Sequence, residues 1–441
     1  MFSKLSLSLS KINFKLYFAL LALGLAPTVY TTVRVFFLGQ LPNEWAFSIA
    51  GQLTWINLLY EILTEGIILP LFYFVGNVRD NKAEFSNRIR TGLIVSFFVY
   101  TALSCVVFLF AEPMLRLMAV DAGLINASAS YIRIESIANI FSVLTQFTLV
   151  VLVTVNKSKY LYAFTAAKLA MSLIADTFLI STLPISANLG VNGVGYSNII
   201  VNVLLLAASF ILLTKEEIKV FSRKKLCFAW TREFAKIGGI SAAESLVRNV
   251  AYMVMIARMV NVVGEQGTYW VANNFIWGWL LLPVIQLSEL IKAEISANKE
   301  CIRRNSLGYF GLTAIISVLW FVSMPAWKPF MAHVLMFGDT DKLFDLVLIL
   351  VGFYVLYAFQ NVFDATFYGL GKTNYMLFES VVTNTVYYGI AFVLYKTGIW
   401  IPTLTGIALL FGIGNAFDSI VSLVAYRHLL KRSGIDLRNV T

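Results

Sequence analysis

Histidine is nearly missing from this sequence, two in 441 residues, and neither is expected in an apolar run: the sequence is read as placing His333 in a loop and His428 in the tail. The apolar segments therefore hold no imidazole for catalysis. Cysteine is as scarce, and Cys105, Cys227 and Cys301 are too few and too scattered for a disulfide framework or a metal site. They are read as inert thiols. There is no HExxH, no nucleophile motif and no aspartate cluster at metal-ligand spacing, so neither a membrane-embedded enzyme nor a cofactor or metal is expected. Charge is the third shortage. Only 13% of residues are charged, far below the quarter or so usual in soluble domains.

What fills the space is apolar: 59% hydrophobic residues and a mean hydropathy of +0.77. Windows of about 20 apolar residues, enough for a helix to cross roughly 30 Å of hydrocarbon, recur along the whole chain. This is the composition of an integral membrane protein. Helices are expected at 14 to 38, 45 to 75, 91 to 111, 124 to 155, 160 to 183 and 190 to 214. After a basic linker, KEEIKVFSRKKLCFAWTREFAK, six more follow at 231 to 262, 266 to 292, 306 to 328, 343 to 370, 374 to 395 and 402 to 426. The first apolar run lacks a small-residue cleavage site and is read as a retained helix.

The net charge of +10 is distributed by topology and not as a nucleic-acid surface. Roughly two dozen Lys and Arg fall in one set of loops and about four in the other, which is the positive-inside pattern. It places both termini on the cytoplasmic side of a multi-pass cell-membrane protein. Within the chain, GLAPTVYTTVR ending at Arg34 aligns with GGISAAESLVR ending at Arg248, half a chain length on, and NKSKY at 156 to 160 aligns with GKTNY at 371 to 375. Ordered matches at a near-constant offset argue for duplication. The expected domains are an N-terminal six-helix lobe with its linker, 1–222, and a C-terminal six-helix lobe, 223–441, as parallel repeats about an axis along the membrane normal.

Charges inside spans are costly and usually face a partner or a water-filled cavity. Arg34 stands in the apolar run YTTVRVFFLG. It either pairs with Asp176, at compatible depth on the fifth helix, or snorkels to the outer interface. Glu61 and Glu65 share one face of the second helix at i and i+4, about 6 Å apart. They are either a proton or cation site, or bonded to a backbone group or a neighbouring Arg. Lys168, Ser172 and Asp176 share a face of the fifth helix. Glu244 and Arg248, also i and i+4, are expected to neutralise each other within the seventh helix. Asp364 and Glu379 flank the turn GLGKTNY and are as easily interfacial as functional. Arg133, Glu135 and Arg258 are read as helix-end charges without a role. Tyr269, Trp270, Trp277 and Trp279 line a cavity or belong to interface belts and ordinary packing.

With these residues in place, the chain resembles the multidrug and toxic compound extrusion (MATE) family, within the multidrug/oligosaccharidyl-lipid/polysaccharide exporter (MOP) superfamily. The resemblance rests on the twelve-helix, two-lobe plan, on VRVFFLG at 33 to 39, on the GKT-like turn after the tenth helix and on SLIAD at 172 to 176. It implies an all-α bundle in two pseudo-symmetric halves that exports organic, amphipathic or cationic compounds by alternating access in exchange for protons or sodium ions. Asp176 matches the family's fifth-helix aspartate, Ser172 replaces its usual asparagine, Asn198 sits near the polar sixth-helix position and Pro27 matches a first-helix proline. Against the pattern, the first-helix acid is Arg34, the seventh-helix glutamate of one branch aligns with Asn249, and the tenth-helix acid is displaced to Asp364. The expected partners are a small-molecule substrate, a proton or sodium ion and the lipid bilayer, without nucleic acid and with the chain acting as a monomer. The alternative function is a flippase for a lipid-linked precursor.

Overall fold

The computed structural model describes residues 2–42, 45–155, 157, 159–218, 220 and 225–432. Every regular element among them is helical. A short helix, α1 (Phe2–Ser10), precedes α2 (Phe14–Gly39). Then come α3 (Ala46–Gly76), α4 (Lys82–Leu117), α5 (Ile125–Thr154), α6 (Lys159–Leu179) and α7 (Val191–Lys215). Beyond the linker lie α8 (Thr231–Val262), then α9 (Gln266–Leu280) and α10 (Leu282–Ala297), bent 51° from each other. The chain continues with α11 (Cys301–His333), α12 (Thr340–Gly369), α13 (Asn374–Lys396) and α14 (Leu404–Arg432).

Among the described residues, ten helices are long and apolar enough to cross a membrane, and the bent pair α9–α10 makes an eleventh. Helix α6 completes the twelve spans expected. Its 21 residues reach about 31 Å, although Lys168 and Asp176 lower its hydropathy. The third span departs most from expectation. It begins earlier, at Lys82, because Asn81 caps it by accepting the Glu84 backbone N–H at 3.2 Å. The expected end at 111 corresponds to a kink at Phe110, where Pro113 cannot continue the helical hydrogen bonding. Helix α1, inside the polar start of the chain, is an added element.

The chain packs as two compact units, Met1–Phe36 with Thr268–Thr441, and Phe37–Gly267. In the second, α5 packs against both α4 and α7. Phe147 of α5 lies over Gly92 of α4, where an added Cβ would stand 2.9 Å from the ring, and Ile134 lies as closely on Gly195 of α7. Small residues of this kind let membrane helices approach closely. Thr91 and Thr145 return their hydroxyls to carbonyls one turn back, so these polar side chains are satisfied within their own helices. In the first unit, α12 packs on α10 and α14, with the Phe363 and Tyr426 rings 4.8 Å apart.

Among the described residues, four spans contain a turn of π-helix: Thr64–Ile68 in α3, Met253–Ala257 in α8, Ile276–Leu280 in α9 and Thr383–Tyr388 in α13. An extra residue in one turn rotates the side chains that follow it, a device concentrated at functional sites. Two of these turns carry residues of the polar clusters described next.

Candidate functional site

In the second unit, α3 and α8 meet where both are glycine, at Gly66 and Gly238. From that close approach, Arg248 of α8 reaches across to the face of α3 carrying Glu61 and Glu65. Its Nη2 donates to Glu65 Oε1 at 2.6 Å and to Glu61 Oε1 at 3.2 Å. The contact with Glu244 on its own helix is the longest of the three, at 3.8 Å. The pair expected within the seventh helix is present at this longer distance, as one part of an interhelical cluster. Glu61 and Glu65 are thus both bonded to a neighbouring Arg. Glu65 lies inside the π-helical turn Thr64–Ile68.

Three carboxyls around one guanidinium leave an excess of two negative charges when all are ionised. The side chains are 43% (Glu61), 20% (Glu65), 29% (Glu244) and 39% (Arg248) exposed, although all four lie within membrane spans. Charged groups at such positions need water or a polar partner. Buried amides join the same two helices beyond the cluster. Asn249, where the resemblance sought a glutamate, is buried and donates to the Leu58 carbonyl at 3.2 Å. Towards the far end of α8, Gln52 and Asn261 exchange two amide hydrogen bonds, at 2.8 and 3.2 Å.

A second polar group in this unit escaped the sequence reading. Glu135 stands nearly three turns into α5 and is only 3% exposed. Asn198 of α7 donates to its Oε1 at 2.7 Å. Glu135 is therefore a buried intramembrane carboxyl and not a helix-end charge. The signal available was its spacing: Glu135 with Asn139, and Asn198 with Asn202, each place two polar residues one turn apart on an otherwise apolar helix. Ser172 and Asp176 are buried on α6, at 2% and 1% exposure.

In the first unit, Arg34 is half-buried with its guanidinium over the Tyr30 ring, 4.9 Å from the centroid, a cation–π contact. Of the aromatic set, Trp277 donates to Tyr354 at 3.2 Å and Trp279 to Thr32 at 3.0 Å, which are packing contacts within the unit. Asp364 is linked to Asp418 of α14 through the Gln360 side chain and lies beside Glu379 of α13.

This all-helical bundle has counterparts of known structure. Residues 79–177 match the MatE family model. Over 92% of this chain and 94% of the other, at 15% identity and a TM-score of 0.77, the fold is similar to the inward-facing conformation of a multidrug resistance MATE family transporter of the MOP superfamily. A Vibrio cholerae MATE transporter, VcmN, carrying a point substitution, aligns over 98% of both chains at 14% identity with a TM-score of 0.67. A Pyrococcus furiosus MOP superfamily transporter, described as having a binding pocket of reversed polarity, aligns over 95% of both chains at 16% identity with a TM-score of 0.68. No curated protein matches the chain. The fold is that of the MATE transporters. The resemblance to that family read from the sequence is borne out by the match at 79–177 and by the architecture along nearly the whole chain.

Proposed function

We propose that this protein is a secondary active exporter of organic, amphipathic cations, working by alternating access and driven by a proton or sodium gradient. The observation that carries the reading is the cluster of Glu61, Glu65 and Glu244 around the single guanidinium of Arg248. Charges kept in spans at this cost are expected on a transport path. The negative excess attracts a cation, and a proton or sodium ion from solution competes with the substrate for it. Taking up the one weakens the hold on the other, which is the coupling an antiporter requires. Glu61 makes the longer of the two contacts across to α3 and is the more exposed, so it is the first candidate to give up Arg248 and take the ion. The buried Asp176, Ser172, Asn198 and Glu135 form a second polar region for substrate or ion in the same unit.

The same reading takes 1–222 and 223–441 as duplicated halves, sets both termini in the cytoplasm of a cell-membrane protein and has one chain transport by itself. The test is reconstitution into liposomes with an imposed pH or sodium gradient, scoring efflux of a cationic dye alongside scrambling of a labelled lipid. Dye efflux that disappears in the combined Glu61→Gln, Glu65→Gln variant supports the proposal. Lipid movement without dye efflux would instead identify a flippase.

A further inference from the structure

The acids of the first unit are arranged differently from those around Arg248. Asp364, Glu379 and Asp418 come from three consecutive spans, α12, α13 and α14, and among the described residues no Lys or Arg forms an ion pair with any of them. The two aspartates are well supplied with donors. Gln360 Nε2 donates to Asp418 Oδ2 at 2.6 Å and to Asp364 Oδ2 at 3.4 Å, Thr383 donates to Asp418 Oδ1 at 2.6 Å, and Ser422 donates to Asp364 Oδ1 at 3.0 Å. Ser419 fixes the amide by donating to Gln360 Oε1 at 2.9 Å. Every aspartate oxygen in the group thus accepts a hydrogen bond.

Glu379 differs. It is 4% exposed, and its Oε1 is buried without a hydrogen-bond partner. Its carboxyl also comes within hydrogen-bonding reach of the Asp364 carboxyl and of Ser422. Two carboxyls can share a hydrogen bond only if one of them carries a proton. No group of three metal-ligating side chains is formed among the described residues, so the geometry does not favour a metal ion. A buried charge with neither counter-ion nor donor is neutralised by protonation.

We infer that Glu379, held against Asp364 and Asp418, is a proton-binding site in the unit Met1–Phe36 with Thr268–Thr441, separate from the Arg248 cluster. It deepens the exporter reading above, on which it rests for its role in coupling. Thr383, which opens the π-helical turn one turn beyond Glu379, bonds to Asp418 of α14. Several other ionisable groups on neighbouring helices are engaged elsewhere. On α10, Glu289 and Lys292 pair at 2.7 Å and Glu294 accepts from Tyr309 of α11, while Tyr375 of α13 and His428 of α14 face each other with rings 6.3 Å apart. When the proton leaves, three carboxylates with no cation repel one another across α12, α13 and α14, so these helices separate or admit a new proton. Binding is therefore coupled to their packing.

The experiment is difference infrared spectroscopy of the purified protein during a pH titration in detergent, which needs no transport substrate. A carbonyl band of a protonated carboxylic acid should appear in the unmodified protein, vanish in Glu379→Gln, shift in Asp364→Asn, and persist in the combined Glu61→Gln, Glu65→Gln variant. In liposomes, Glu379→Gln should lower pH-driven dye efflux at least tenfold. Should Glu379→Gln fail to fold, the shift in Asp364→Asn and its counterpart in Asp418→Asn carry the test. A band unchanged in all three variants overturns the site, as does stabilisation by sodium at constant pH that Glu379→Gln abolishes. If the band behaves as expected but no dye moves even in the unmodified protein, the exporter reading fails and the proton site stands.

Discussion

Gly238 of α8 meets Gly66 of α3 so closely that a Cβ at 238 would lie 1.9 Å from the Gly66 carbonyl oxygen. No rotamer relieves a clash with backbone. Gly238→Ala should therefore push the two helices apart and cost roughly 1 to 3 kcal/mol, as an overpacked core does. The neighbouring Gly239 has nothing within 4 Å of an added Cβ, so Gly239→Ala should be neutral or slightly stabilising. Thermal melts of the two variants, measured side by side in detergent, check this contrast. Equal melting temperatures would mean that the close approach does not set the α3–α8 interface.

The same interface makes Arg248 the counter-ion of three acids. Arg248→Met leaves Glu61, Glu65 and Glu244 facing one another, a loss worth about 3 to 5 kcal/mol for a fully buried pair. Here the side chains are 20% to 43% exposed, so a smaller loss of about 1 to 3 kcal/mol is expected after solvent screening. Removing Glu65 as well, by Glu65→Leu in the Arg248→Met background, should recover part of that loss. A double-mutant cycle on melting temperature measures it, and strict additivity would mean that the 2.6 Å contact contributes nothing.

Glu135 and Asn198 provide an independent measure of the polar interior. Asn198→Leu takes the donor, 2.7 Å away, from a carboxyl that is 3% exposed. Leaving that buried acceptor short should cost about 1 to 3 kcal/mol. Glu135→Gln, which keeps the shape and removes the charge, should be milder in either background. If Asn198→Leu melts with the unmodified protein, the hydrogen bond is not a stabilising one.

The span positions were legible because twenty-residue apolar runs and the linker punctuate this chain plainly. The shared face of Glu61 and Glu65 was legible from spacing alone, since i and i+4 positions on a helix coincide. Which residue would answer them was not. Arg248 has a carboxylate one turn away at Glu244, and only the Gly66–Gly238 approach makes the more distant Glu65 the nearer partner in space. The acid cluster of the first unit was hidden for a related reason. Asp418 stands alone on α14, and its connection to Asp364 runs through the uncharged Gln360. Pairwise spacing finds neighbours on one helix; it does not find three helices that each contribute a single acid.

Helix α1 was hidden differently. Leu5, Leu7 and Leu9 alternate with serines, the period of a strand. The helix is held by its seat on α11. Ser8 Oγ accepts the Gly308 N–H at 2.8 Å and donates to the Arg304 carbonyl at 3.0 Å, and Leu5 lies over Gly311. Just beyond α1, the Asn13 N–H reaches Glu294 Oε1 at 2.9 Å. A Cβ at Gly308 would stand 2.8 Å from the Ser8 carbonyl oxygen, so Gly308→Val should lift α1 from α11 without disturbing the spans beneath. Ser8 is 2% exposed, and a thiol placed there by Ser8→Cys should react slowly with a water-soluble maleimide while α1 is seated. Adding Gly308→Val should speed that labelling at least tenfold. The labelling at exposed Cys105 and Cys227 is first removed by replacing both with Ser. Labelling at the same rate in both backgrounds would show that α1 leaves its seat readily and that the Ser8 contacts do not hold it.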